Sequence, residues 1–172
     1  PGSKLCIEAS MKLSQPKPTV VFHQISRGRT GTFQTLRLMR SEVQKSLKNP
    51  RLIQLASRLD GNPQQIDSFV RSALHYLKEP YEIVRTPENS LDQIEKYGFF
   101  IGDCDDASTL IAAMLRVAGY PVRFVVIRTD PKSREFQHVY VEFFDGHHWY
   151  SVDPTTEPGT DHQYLERAQV TV

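Results

Sequence analysis

Three residues of this chain could form one reactive group: Cys104, His138 and Asp153. Cys104 opens the stretch GDCDDASTLIAAMLRVAG, in which Ala107, Leu110, Ile111, Met114, Leu115 and Ala118 fall at the i, i+3, i+4 spacing of a helix face. Gly119 and Pro121 close that helix. A thiol at a helix N-terminus has a lowered pKa and stands at the edge of the core, within reach of a substrate. The carboxylates of Asp103, Asp105 and Asp106 cap the same turn and oppose ionisation, so a lasting thiolate needs a cationic partner.

A histidine supplies that partner. Downstream the apolar period changes from 3.6 to 2, giving strands at Val122–Arg128, Gln137–Phe144 and His148–Asp153, the last two joined by an Asp145-Gly146 turn. If that turn has two residues, Phe144 faces His147, and counting back in step sets His138 opposite Asp153, roughly 5.5 Å apart between Cα atoms. A one-residue bulge would spoil the pairing. A Cys-bearing helix packed across this sheet would join thiol, imidazole and carboxylate, the set that activates sulfur for attack on an acyl carbon.

Helices carry the first half of the chain. Phe33, Leu36, Met39, Val43 and Leu47 mark one from Thr32 to Asn49-Pro50. Pro50–Leu59 forms a second, and Asn62-Pro63 starts a third that runs to about Lys78. Residues 81–103 read as a long connection with one helical turn at Ser90–Tyr97, and it shapes a wall of the site. Residues 1–30 read as an irregular arm with a short strand at Val20–Phe22, residues 31–155 as the catalytic domain, and residues 156–172 as an irregular tail. Helices followed by an antiparallel sheet make the fold class α+β.

Composition narrows the function. The 172 residues, 39% hydrophobic and 24% charged, suit one soluble domain, and a net charge of +1 gives no general attraction to nucleic acid or membrane. No signal peptide or membrane-length apolar run is present in the sequence, and two cysteines in unlike settings form no disulfide framework. A reducing, cytoplasmic setting is the simpler expectation. His147 and His148 point to opposite faces of a strand, so they cannot chelate together. His23 and His75 have no acidic or thiol neighbours at ligand spacing. Arg27, Arg29, Arg37 and Arg40 read as a solvated basic face.

The strings GDCDDASTLIAAMLRVAGYPVRF, HVYVEF and WYSVDPT resemble the transglutaminase-like superfamily, in its small bacterial and phage-associated branch. The resemblance runs from about Gly28 to Thr155 and implies a papain-like core with the Cys-bearing helix on an antiparallel sheet. It implies Cys104 as nucleophile, His138 as base and later general acid, and Asp153 as the group orienting His138. The oxyanion hole would combine the Cys104 N–H with a donor from the preceding loop, for which Tyr97 and Gln93 are candidates. The only tryptophan, Trp149, lies downstream of the cysteine, so the large eukaryotic enzymes' means of stabilising the intermediate has no counterpart. Trp149 shares the face of Asp153 and is a candidate border of a substrate groove.

A periplasmic group of the same superfamily has acidic residues beside its cysteine and needs calcium. Asp103 and Asp105 match those positions and Asp106 adjoins them, which leaves a calcium site open although this chemistry requires no cofactor. The implied activity is hydrolysis of peptide or protein amides through an acyl thioester. Acyl transfer or deamidation at glutamine uses the same residues, and a non-catalytic interaction module on the same fold is the third reading.

Overall fold

The computed structural model describes residues 26–78 and 83–172. Cys6, the predicted strand at Val20–Phe22 and most of the predicted arm lie outside those residues.

Three of the helix starts follow from sequence. In α2 (Pro50–Arg58) and α3 (Pro63–Ala73), Asn49 and Asn62 accept hydrogen bonds from the free N–H groups of the first turn, with proline next in line. Thr86 and Pro87 start α4 (Pro87–Tyr97) in the same way. The predicted single turn at Ser90–Tyr97 is therefore a full helix. The first helix, α1, spans Gly28–Ser46 and begins before the predicted Thr32. Its extra turn carries Arg29, which pairs with Glu166 and lies 5.3 Å from the centre of the Phe136 ring.

The third helix stops earlier than its apolar spacing suggests. Leu74–Tyr76 leaves the helix as β1 and pairs in parallel with β2 (Phe100–Gly102). The main-chain bond from Leu77 N–H to Gly102 O, 2.9 Å, extends this ladder. Long-range pairing thus overrides a helical pattern that sequence alone continues to Lys78.

Helix α5 (Cys104–Val117) is the centre of the molecule. Every residue from Asp106 to Leu115 is buried, so the helix is enclosed rather than amphipathic. Helices α1 to α4 pack on one side of it and strands β3 (Val122–Arg128) and β4 (His138–Phe144) on the other. Phe124, Val126, Val139, Val141 and Phe143 project into this core. Their neighbours Val125, Ile127 and Tyr140 form a small cluster on the opposite face.

The main sheet has four strands in the order β5-β4-β3-β6, all antiparallel neighbours, with β5 at Trp149–Val152 and β6 at Glu166–Thr171. The segment predicted to be an irregular tail therefore contains an edge strand paired along the whole of β3. Its sequence, ERAQVT, is too polar to announce a strand, and pairing supplies what propensity does not. The helices and antiparallel sheet make the fold α+β, as expected. Among the described residues no helix is long and apolar enough to cross a membrane.

Gly102 permits the closest approach near the start of α5. A Cβ there would lie 2.6 Å from Asp106 Oδ2 and 2.7 Å from its Cβ. Asp106 cannot swing aside, because Arg85 holds both its oxygens. Gly102→Ala is expected to cost about 1–3 kcal/mol of stability in denaturant titration. A loss below about 0.5 kcal/mol would mean that the Asp106 clamp yields.

Candidate active site

Cys104 is the first residue of α5, and its position follows from capping. The Asp103 side chain accepts the Asp105 N–H at 3.1 Å from an extended Ncap conformation. Asp106 turns inward, where Oδ1 accepts the Arg85 N–H at 2.9 Å and Oδ2 pairs with the Arg85 guanidinium. Burial pushes the Asp106 carboxyl up to about 6, against the pull of Arg85. The three aspartates thus do not act as one cluster. Oxygen atoms of Asp103 and Asp105 lie within 4.8 Å of the sulfur and of each other, while Asp106 is committed to Arg85. Calcium takes six or more oxygens. Among the described residues, Asp103 and Asp105 are the two carboxylates grouped with the thiol.

The Cys104 sulfur accepts the main-chain N–H of Val139 on β4 and sits 3.7 Å from Asp105 Oδ1. Ser108 on the next turn of α5 donates to the Val139 carbonyl at 3.3 Å, so helix and strand are tied together beside the thiol. Burial pushes the thiol pKa well up, and the Asp105 and Asp103 charges add to this, with the Val139 N–H opposing. The helix N-terminus was expected to favour a thiolate. Desolvation and the adjacent carboxylates work against it here and favour the neutral thiol.

His138 begins β4 and lines the same cleft, about 470 Å³ in volume, as Cys104. Its Nε2 lies 2.6 Å from Asp153 Oδ2. An ionised carboxylate can only accept, so Nε2 carries the proton and Nδ1 of the neutral ring keeps a lone pair. Burial alone would raise the Asp153 pKa, but hydrogen bonds from His138 and Thr155 overcome it and hold the carboxyl below its usual range. Asp153 Oδ1 accepts both the N–H and the hydroxyl of Thr155, at 2.9 and 2.6 Å. Its main-chain oxygen accepts from Arg71, which is paired with Asp67.

The hairpin register differs from the expected one. The β4–β5 connection is a four-residue loop, 145–148, in which the Asp145 side chain accepts the N–H groups of His147 and His148 at 2.7 and 2.8 Å. Phe144 consequently faces Trp149, and the register continued past Val152 sets Asp153 against Tyr140 rather than His138. The shift is two residues, an even number, so His138 and Asp153 keep the same face and meet diagonally.

Other expected site residues lie elsewhere. Gln93 spends its side chain on structure, accepting the Ile101 N–H at 3.1 Å and donating to Asn89 at 2.9 Å. Tyr97 is exposed at the end of α4, with Lys96 over its ring. Neither lines the thiol cleft. Trp149 packs against Phe144 under the Arg123 guanidinium, at the far end of the hairpin, about 20 Å of strand from His138. His75 is stacked on Phe99.

Two residues absent from the sequence reading join the site. Tyr76, at the end of β1, is about half exposed and lines the thiol cleft, and its partial desolvation together with the nearby Asp103 and Asp105 charges pushes its phenol up to about 12. His162 lies in the loop between β5 and β6, with Nε2 3.2 Å from the same Asp153 Oδ2 that holds His138. Its ring stacks on Tyr140 at 4.2 Å. Burial lowers its pKa, with Asp153 opposing. No local spacing announces His162. Tyr140, two residues after His138 on the same face, was the only signal that this face continues.

The profile of the transglutaminase-like superfamily matches residues 53–154, more than half the sequence, and the chain belongs to that superfamily. The match covers Cys104, His138 and Asp153, whereas α1, the first residues of α2 and the edge strand β6 lie outside it. No curated protein matches the sequence. Among solved structures, a candidate protease from Parabacteroides distasonis is similar at 15% identity and a TM-score of 0.49, over 63% of this chain and 24% of that longer one.

The charge environment of the sulfur is open to direct measurement. The midpoint of Cys104 alkylation by iodoacetamide is expected above the value of about 8.5 of an ordinary cysteine, and Asp105→Asn is expected to bring it down. Each unit of that fall raises the thiolate fraction at pH 8 about tenfold. A wild-type midpoint below 8 would instead demonstrate a standing thiolate.

Proposed function

We propose that this chain is a cysteine hydrolase that cleaves amide bonds of peptides or proteins through an acyl thioester on Cys104. The 2.6 Å contact between Asp153 and His138 Nε2, on a histidine that lines the same cleft as Cys104, is the observation that carries this reading. Burial and the flanking carboxylates favour the neutral thiol, so in this reading His138 takes its proton as the sulfur attacks, rather than pairing with a thiolate formed in advance. The C–S bond forms, the carbonyl oxygen becomes an oxyanion, and His138 becomes an imidazolium stabilised by Asp153.

The oxyanion is met by the Cys104 N–H, which as the first of α5 has no partner within the helix. Tyr76 supplies the side-chain donor, in place of Gln93 and Tyr97. Collapse breaks the C–N bond as His138 returns its proton to the leaving amine. Water, deprotonated by the same imidazole, then releases the acid and restores the thiol. No step calls for a cofactor, and a free thiol suits a reducing compartment such as the cytoplasm.

Transfer of the acyl group to an amine differs only in the second nucleophile. The Asp103 and Asp105 carboxylates beside the sulfur favour the approach of a cationic amine, and this observation keeps transfer at glutamine side chains as the second reading.

Incubation with a complex peptide mixture, with and without a tagged primary amine, separates the outcomes by mass spectrometry. New peptide termini and a trapped Cys104 acyl adduct are expected, both absent in Cys104→Ser. His138→Ala should lower the rate about 10²–10⁴-fold and Asp153→Asn by a similar factor. Incorporation of the amine without new termini would favour transfer. Absence of any adduct across the mixture would overturn both and leave a binding module.

A further inference from the structure

One oxygen of Asp153 serves two imidazoles, and a triad needs only one. His138 Nε2 lies 2.6 Å and His162 Nε2 3.2 Å from Oδ2. The three donor atoms all fall within 4.8 Å of one another, with the rings 5.6 Å apart between centroids. These side chains are mostly shielded, at 20% exposure for His138, 9% for His162 and 4% for Asp153. Each is held from behind: His138 by its place on β4, His162 by stacking on Tyr140, and Asp153 by Thr155 and Arg71.

We propose that His138, His162 and Asp153 form a binding site for a divalent transition metal, best suited to Zn²⁺, whose occupancy switches off the thiol chemistry. Two imidazole nitrogens and one carboxylate oxygen are a zinc donor set, and too poor in oxygen for calcium or magnesium. The fourth position is left for water, supplied from the cleft of about 450 Å³ that Asp153 and His162 line. Preformed, mostly buried ligands lower the cost of assembling such a site.

The switch follows from proton bookkeeping and rests on the reading of His138 as the base. Without metal, a neutral His138 carries its proton on Nε2, against Asp153, and any proton on His162 Nε2, 3.2 Å from the same oxygen, must also leave that nitrogen. Zinc binding forms two Zn–N bonds and one Zn–O bond, and each displaced proton reappears on the Nδ1 of its own ring through solvent. Neutral rings therefore release no net proton, and an imidazolium releases one. On His138 the relocated proton occupies Nδ1, the nitrogen that the proposed reaction uses as base. A metal-bound imidazole protonated at Nδ1 has no lone pair left, so Cys104 keeps its proton and cannot attack.

Zinc alone, titrated calorimetrically into Cys104→Ser protein, tests the site, because this variant removes the rival ligand set Asp103, Cys104 and Asp105. One-to-one binding in the micromolar range or tighter is expected, weakened at least tenfold by adding His162→Asn. Cobalt bound to the unaltered protein should show visible ligand-field bands without sulfur-to-metal charge transfer, a readout that needs no variant to fold. In wild type, zinc should cut formation of the Cys104 acyl adduct at least tenfold, and a chelator should restore it. The proposal is overturned if Cys104→Ser binds no zinc, if His162→Asn leaves the affinity unchanged, or if the cobalt spectrum shows thiolate ligation. Zinc binding in a chain that forms no adduct would sustain the metal site and overturn only the role of His138 as base.

Discussion

Ten successive residues of α5, Asp106 to Leu115, are buried, so this helix is stable only where every side of it meets another layer. That requirement arranges the molecule. Four helices cover one side, the sheet covers the other, and the N-terminus emerges where β4 begins. Cys104 is the last point at which the helix can still meet solvent. The reactive sulfur therefore sits at the boundary of the best-packed element in the fold, where small shifts of position are resisted by the whole core. Arg85 fixes the remaining freedom by holding Asp106 beneath the first turn.

Electrostatics at this boundary run against the helix dipole. A helix N-terminus lends an exposed thiol some stabilisation of its charge. Here the sulfur is largely withdrawn from water and has a carboxylate on each side, and both effects favour the neutral form. The site stores its reactivity in a proton acceptor rather than in a preformed anion. A neutral thiol is slower than a thiolate to react with oxidants and electrophiles, and in the proposed reaction nucleophilicity would come only as His138 takes the proton.

The parts of the site legible in sequence were those with local signals. Cys104 was announced by a capped helix, and His138 and Asp153 by strand alternation on either side of an Asp-Gly turn. Their meeting survived a wrong register because the error was even. What escaped depended on partners distant in the chain. Leu74–Tyr76 continues the helical spacing of α3, and only Phe100–Gly102 reveals it as a strand. ERAQVT has no alternation of its own and becomes β6 by pairing with β3. His162 follows a Pro- and Gly-containing loop and reaches Asp153 by a path no spacing rule encodes. Asp106 read as a helix cap until Arg85, 21 residues upstream, claimed it. The flanking carboxylates' opposition to Cys104 ionisation was legible in sequence, whereas the contribution of burial was not, since burial is a property of the assembled layers.

The four-residue loop at 145–148 has a bearing on how sequences of this fold can drift. Lengthening or shortening it by a pair of residues slides β5 along β4 without turning its side chains over, so a carboxylate stays on the imidazole's face. A single inserted residue would roll Asp153 into the apolar interior beside α5 and bring a hydrophobic neighbour out in its place. Insertions and deletions at this tip are consequently filtered by parity. Relatives with longer or shorter hairpins should differ here by even counts, or carry a bulge that restores the alternation.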